Sequence, residues 1–334
     1  MKGINDDVFI AWLKFQRRAY SMKSYFDYSL FFIYSQIKNK DLKIIDYLIK
    51  TAKTIYTLMT KRPKILWIQL PPTPLLSISI LYKKLFKECL IVADCHNALF
   101  SDKWIRYLNI KTINKVDIIL VHNNVIKDIV LKMEIDKNKL FVLETKPAEK
   151  SHLRIQLNHS ISHPCILMPC GFWEDEPLSV VFSAAHKIPD ITIYITGPME
   201  RAKGVHDLTR TPNNVKILGY LSNEEYETLF CESDAVLGLT TMNHIQLSVA
   251  NEATGFEQPM ILSDTKLLRE LFYKGAVFVD TLNPDSIAKG IKIAISNRKI
   301  LKENVKILKR ERIDHWNRQA DNIKSIINTR YEKH

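Results

Sequence analysis

Two short stretches hold side chains able to do chemistry, and each begins where an apolar run ends. In the first, Asp94 and His96 stand two apart in Asp94-Cys95-His96-Asn97, directly after the run Leu90–Ala93. An acid and an imidazole at a strand end can both project into a crevice, where either accepts the proton of an attacking hydroxyl. The same types serve equally as a capping carboxylate and a histidine satisfied by backbone carbonyls, so the pair leaves both roles open. In the second, Thr240-Thr241 closes the run Ala235–Leu239, and Glu252 lies in the helical stretch Asn251-Glu252-Ala253 beyond a polar loop. A carboxylate there suits two ribose hydroxyls, and the threonines with the helix N-terminus suit phosphate. A solvated surface glutamate is the plainer alternative.

Weaker candidates surround these. Arg17-Arg18 follows the first apolar run and can fork onto a diphosphate, or simply start a helix. His122-Asn123 follows Asp117–Val121 and either lines a crevice or caps the next helix. Gly197-Pro198 with Arg201 and Lys203 forms a basic turn able to neutralise a departing diphosphate, or is merely exposed. With 9 glycines, no G-x-G-x-x-G and no G-x-x-x-x-G-K-[ST], phosphate must rest on ordinary turn amides and basic side chains. No Asp-x-Asp triplet is present to hold a divalent ion, so neither metal nor cofactor is expected. Five cysteines, an odd number without paired-pair spacing, read as reduced thiols in a cytosolic core, and Cys165 with Cys170 is not expected to bind metal.

The elements that must position these residues alternate throughout. Strands are predicted at Val8–Trp12, Leu30–Tyr34, Ile65–Leu70, Leu90–Ala93, Asp117–Val121 and Leu140–Leu143. Helices fall between them near Arg17–Tyr25, Lys43–Met59, Pro74–Phe86, Trp104–Ile113 and Val125–Ile135. A second series has strands at Cys165–Met168, Thr192–Thr196, Val215–Leu218, Ala235–Leu239, Pro259–Ser263 and Ala276–Val279. Its helices fall near Asp175–His186, Asn223–Glu232 and Asp285–Asn297. Such alternation implies α/β domains with parallel sheets. The 334 residues suffice for two, taken as 1–150 and 160–334, with the polar run Ala148–His163 as linker and a charged helix over Leu301–Asn328 at the end.

Charge separates the halves. Residues 1–150 carry 26 Lys and Arg against 14 Asp and Glu, which accounts for the whole net charge of +12. A basic first domain suggests an anionic partner. Nucleic acid is not favoured, because no zinc-ligand spacing, RNP-like sequence or basic heptad is present. An anionic membrane surface is favoured by the aromatic run Tyr20–Tyr34 and by Pro74–Lys87, apolar until Lys83, Lys84 and Lys87. A buried packing helix is the alternative for Pro74–Lys87. No apolar run approaches the ~20 residues of a spanning helix, and the acidic start Met1–Trp12 does not read as a signal peptide. The expected location is cytoplasmic, peripheral on the inner membrane face.

The order Gly219-Tyr220, Glu224–Glu232, Ala235–Thr240, Glu252-Ala253, Gly255-Phe256-Glu257-Gln258-Pro259, Met260–Asp264 resembles the donor half of the retaining glycosyltransferases of family 4. The resemblance covers most of the C-terminal half. It implies the GT-B architecture, two Rossmann-like domains with parallel sheets facing a central cleft, and a terminal helix packing back on the first domain. It also implies a nucleotide-diphosphate sugar as co-substrate, its base at Gly219-Tyr220 and its ribose at Glu252. The chain departs from that family at His244, where a second glutamate is usual, and at Ile245-Gln246-Leu247, which replaces Gly-Phe-Gly. The sugar contact of the missing glutamate would pass to His244, Gln246 or Asn251. Pro71-Pro72-Thr73-Pro74, then Asp94-x-His96-Asn97, then Phe172-Trp173-Glu174-Asp175-Glu176-Pro177 resemble short blocks of the mannosyltransferase family acting on chitobiosyl-diphospho-lipid. That likeness implies a lipid-diphosphate-linked glycan acceptor; Asp94 and His96 are expected to face it, with Arg17, Arg18, Asn97 and His122 as the candidates to bind it.

The resulting expectation is a metal-independent sugar transfer to a lipid-linked glycan in surface polysaccharide or glycoconjugate assembly. The alternatives are a nucleotide-sugar 2-epimerase of the same fold and a non-catalytic glycan- or membrane-binding module.

Overall fold

The computed structural model describes residues 7–37, 39–149, 155 and 160–331. The chain divides into two compact units, Met1–Lys146 with His315–His334, and Pro147–Asp314. The expected linker over residues 148–163 falls mainly outside the described residues. Ala148 itself is buried in the second unit, where its amide donates to the Asn251 carbonyl.

In the first unit the order is β1 (Val8–Ala11), α1 (Arg17–Phe26), β2 (Ser29–Phe32), α2 (Lys43–Lys61), β3 (Ile65–Leu70) and α3 (Pro74–Leu85). Then come β4 (Leu90–Cys95), α4 (Asp102–Ile105), α5 (Ile110–Ile113), β5 (Ile118–Val121), α6 (Asn124–Leu131) and β6 (Leu140–Val142). The strands form one parallel sheet in the order β2-β1-β3-β4-β5-β6. Both faces are covered, which is why these strands read as nearly unbroken apolar runs. Val8, Ile10, Leu66, Ile68, Ile91 and Ala93 face one core with Leu75, Leu76 and Ile80 of α3. The alternate residues Phe9, Ala11, Trp67 and Val92 face another core with Ala19 and Met22 of α1.

The expected single helix over Trp104–Ile113 is instead two separate turns, α4 and α5. Asn109 takes an extended conformation between them, and its side-chain oxygen accepts the Thr112 amide, capping a new helix start.

The second unit runs β7 (Cys165–Pro169), α7 (Leu178–Ala185), β8 (Thr192–Thr196), β9 (Val215–Gly219), α8 (Asn223–Glu232) and β10 (Ala235–Gly238). It continues with α9 (Ser248–Phe256), β11 (Met260–Ser263), α10 (Lys266–Leu271), β12 (Ala276–Val279), α11 (Pro284–Ser296) and α12 (Arg298–Tyr331). Its sheet is also parallel, in the order β12-β11-β10-β7-β8-β9. Helix α8 begins with a capping box, Ser222 accepting the Glu225 amide while Glu225 accepts that of Ser222. Helix α7 starts three residues later than expected because Asp175 and Glu176 are engaged in the preceding loop. The last part of α12 belongs to the first unit, where Trp316 is buried beside Tyr25 and Phe26.

Candidate functional site

The strand orders locate a crevice in each unit. Ligands in open parallel sheets bind beyond the strand C-termini where the order reverses. In the first sheet that point is between β1 and β3; in the second it is between β7 and β10.

In the first unit four of the sequence candidates converge. Asp94 lies on β4 between Gln69 and Leu120, on the face covered by α1. Arg18, in the first turn of α1, forks onto its carboxylate at 3.1 to 3.2 Å. The remaining guanidinium hydrogens reach the carbonyls of Leu143 and Glu144, both at 2.7 Å, and the Thr145 hydroxyl. Nε2 of buried His122 stands 3.2 Å from Asp94. The His96 ring approaches that of His122 edge-on, with centroids 5.3 Å apart.

This geometry corrects three expectations. Arg18 is buried with its donors committed, so it pins α1 to the end of β4 and to the chain after β6 and does not bind a diphosphate. Asp94 is 1% exposed. Burial alone would raise its pKa, but the Arg18 charge and His122 hold it well below the carboxylate range, so it is no proton acceptor. Burial and the same arginine push the His122 pKa down to about 4, against the pull of Asp94, and keep the ring neutral. His122 is thus part of the floor, and does not line a surface.

His96 reaches solvent, yet the protein packed around its ring disfavours the charged form. Its pKa falls below the usual value despite the attraction of Asp94. Nδ1 accepts the Ala98 amide at 3.3 Å, capping the turn Asn97–Phe100. The neutral ring therefore carries its proton on Nε2 and presents a donor, not a base. Asn97 sits half-buried in that turn, and its side-chain oxygen has no hydrogen-bond partner among the described residues. Arg17 lies half-buried on α1, outside this cluster.

In the second unit the loops after β7 and β10 are knitted together. Glu176 accepts the amides of Gly171 at 3.0 Å and Trp173 at 2.9 Å, folding the first loop back on itself. The Asp175 carboxylate accepts the Thr240 hydroxyl at 2.6 Å, and its carbonyl accepts the Thr241 amide at 2.8 Å. The Thr240 amide goes to Ser263 Oγ at 2.8 Å. Thr240 is therefore a buried strut and not a phosphate ligand, which corrects the expectation; Thr241 remains at the surface.

Trp173 is 57% exposed on that loop, with the Arg201 guanidinium 4.6 Å above its ring and its carbonyl 2.9 Å from His206 Nε2. Arg201 and Lys203 are exposed beyond β8. Gly197 between them and the strand is obligatory: φ is 144°, and an added Cβ would lie 1.9 Å from the Cys170 carbonyl oxygen. Its amide reaches Gly219, whose turn leaves Tyr220 almost fully exposed.

Glu252 is half-buried on α9 and receives a hydrogen bond from Tyr226 of α8. Asn251 is buried beside it, its side-chain oxygen taking Gln246 Nε2 at 3.3 Å and Arg312 at 3.4 Å. Asn251 is thus internal and not a sugar contact. Gln246 Oε1 is a buried acceptor with no hydrogen-bond partner among the described residues, and His244 is exposed.

Sequence reasoning missed Tyr226 and Ser263. It also overlooked Glu176 as the loop clamp, although Phe172–Pro177 had been singled out, because no residue pattern shows which amides a glutamate will meet.

No family model matches the chain, and no curated protein matches it. Solved structures do. HepE of Anabaena in complex with UDP-glucose superposes with a TM-score of 0.70 at 13% identity, over 96% of this chain and 99% of that one. Sucrose-phosphate synthase of Thermosynechococcus elongatus gives 0.72 at 9%, over 98% and 100%. A glycosyltransferase of Rickettsia africae gives 0.64 at 14%, over 98% and 99%. At these identities the likeness establishes the fold, GT-B, over almost the whole chain.

Proposed function

We propose that this chain transfers a sugar from a nucleoside diphosphate, held by the second unit, to a glycan on a lipid diphosphate, presented to the first. The observation carrying this reading is Glu252, a half-buried carboxylate on the helix that follows the switch-point strand β10, braced by Tyr226. It suits the two ribose hydroxyls. The Gly219-Tyr220 turn meets the base, the N-terminus of α9 with Thr241, Arg201 and Lys203 meets the diphosphate, and Gln246 Oε1 accepts a sugar hydroxyl. The UDP-glucose complex of HepE, on the same fold, supports a donor of this class. Basic side chains in place of an Asp-x-Asp triplet support transfer without metal.

As the acceptor oxygen bonds to the anomeric carbon, the bond from that carbon to the diphosphate breaks. The departing diphosphate, gaining negative charge, takes the hydroxyl proton, since Asp94 is held ionised by Arg18 and His96 presents a donor. On this reading His96 Nε2–H hydrogen-bonds a substrate oxygen.

The acceptor side is supported by α2, which is inverted relative to an ordinary packing helix. Its inward residues include Thr54, Thr57 and Leu58, and Thr54 accepts the Trp12 indole at 2.8 Å. Its apolar stripe Ile44, Ile45, Leu48, Ile55, Tyr56, Met59 is exposed, with Lys43, Lys53 and Lys61 alongside. Stripes of this kind bind anionic membranes. Next to it lies a groove of about 420 Å³ in which Lys43, Lys103 and Arg106 mix with Tyr47, Trp104 and Tyr107, a lining fit for a lipid diphosphate. The segments first expected at the membrane mostly pack inward: Met22, Phe26 and Tyr28 are buried, as are Leu75, Leu76 and Ile80, and Lys83 pairs with Asp117 at 2.5 Å.

Calorimetry with ribo- and 2′-deoxynucleoside diphosphates tests the donor site. The native protein should prefer the ribonucleotide about tenfold or more, and Glu252→Gln should erase that preference. Equal affinities in the native protein would refute the assignment. Donor incubated without acceptor must yield no isomer, which separates transfer from 2-epimerisation.

A further inference from the structure

At the opposite end of the second sheet, where the central strands β7 and β10 begin, three ligand-type side chains meet. His163 Nδ1 is 3.0 Å from Asp234 Oδ2 and 3.8 Å from Cys165 Sγ, and all three ligand atoms lie within 4.8 Å of one another. We propose that His163, Cys165 and Asp234 form a binding site for a borderline divalent cation such as zinc, remote from the sugar-transfer chemistry.

Ligand bonds of ~2.0–2.3 Å in a tetrahedral zinc site separate ligand atoms by roughly 3.3–3.6 Å. Two of the separations, 3.0 and 3.8 Å, lie to either side of that range and the third is within 4.8 Å, so modest side-chain shifts admit an ion. The combination of imidazole, thiolate and carboxylate selects zinc-like ions over calcium or magnesium, which prefer all-oxygen shells.

The surroundings hold the carboxylate in place. Arg298 Nη1 lies 2.6 Å from the other oxygen, Oδ1, and the Cys165 amide donates to Oδ2 at 2.7 Å, leaving Oδ2 a lone pair for the ion. Such outer partners orient metal ligands. The Asp234 amide also donates to the Cys165 carbonyl at 3.0 Å, so two of the ligands sit on rigid strand starts. His163 is about half-exposed and gives the ion its route in, with water completing the shell. On binding, the Cys165 S–H bond breaks, the sulfur–metal bond forms, and the proton leaves to solvent. The site joins the starts of two neighbouring strands, so its occupation braces the second unit and takes no part in the transfer.

Cobalt(II) titration of the chelator-treated full-length protein tests this directly. We expect a near-ultraviolet thiolate-to-cobalt band with tetrahedral visible absorption, displaced by zinc. Cys165→Ser should abolish the band, and His163→Ala, changing a half-exposed side chain, should lower cobalt affinity about tenfold or more. Absence of the band in the native protein, or its persistence in either variant at unchanged affinity, overturns the assignment. Donor binding by the Cys165→Ser protein should be unaltered, which keeps this test separate from that of the sugar-transfer site.

Discussion

Replacing Ile44, Leu48 and Tyr56 together by serine should detach the protein from anionic membranes without unfolding it. These side chains are 74%, 63% and 72% exposed, so roughly two side chains' worth of apolar surface meets water. Burying one such side chain is worth about 1.5–3 kcal/mol, giving about 3–6 kcal/mol for the group. An interfacial helix sinks only part way into the headgroup region. If half is realised, about 1.5–3 kcal/mol, the partition coefficient falls some ten- to hundredfold. Vesicle co-sedimentation over a lipid titration reads this directly. Vesicles of neutral lipid, or anionic vesicles at high salt, should already bind the native protein weakly, because Lys43, Lys53 and Lys61 each contribute about 1 kcal/mol near an anionic surface. The thermal midpoint should barely move, since the substituted atoms pack against little and serine costs a helix about as much as isoleucine. Undiminished binding by the triple variant to anionic vesicles would refute the assignment of α2 as the docking face. A large drop in thermal midpoint would show instead that the stripe is buried in the protein as it exists in solution.

Other outcomes follow from the buried clusters. Asp94→Asn strands the Arg18 charge and should cost about 3–5 kcal/mol in urea unfolding; a cost below about 1 kcal/mol would show that the fork is not a structural hub. Gly197→Ala drives a methyl into the Cys170 carbonyl and should cost about 2–3 kcal/mol while weakening nucleotide binding. His122 is neutral when folded but binds a proton below its ordinary pKa of about 6.5 when unfolded, so stability should fall as pH drops from about 6.5 to about 4. That fall, roughly 3 kcal/mol at most, should flatten in His122→Gln, as followed by urea midpoints across the range. Trp173→Ala removes the platform under Arg201 and should weaken diphosphate binding several-fold with little change in stability, measured by calorimetry.

The sheets were legible because parallel strands covered on both faces must be apolar along their length, and short bounded runs such as Ile65–Leu70 or Leu90–Ala93 fit that use. The places of Asp94, Thr240 and Glu252 at or beyond strand ends were legible for the same reason, since strand boundaries fix where loops begin. What those side chains touch was not. Arg18 meets a carboxylate 76 positions along the chain and two carbonyls further still, so nothing local distinguishes a guanidinium that binds substrate from one that closes a core. Thr240 is decided in the same way by Asp175, 65 residues earlier.

The helix α2 shows the limit from the other side. Its apolar period was visible, and a periodic stripe is ordinarily assigned to the interior. Here the interior contact falls to Leu58 and to threonines that satisfy their own hydroxyls, Thr54 on Lys50 and Thr57 on Lys53, so the helix packs through a narrow face and leaves its stripe outside. An α/β unit whose sheet is already sealed by α1, α3 and α6 can spare the apolar face of a fourth helix. That face is then available to cover something other than this chain. With the entire net charge of the protein in residues 1–150, the proposed docking on an anionic bilayer would satisfy stripe and lysines together.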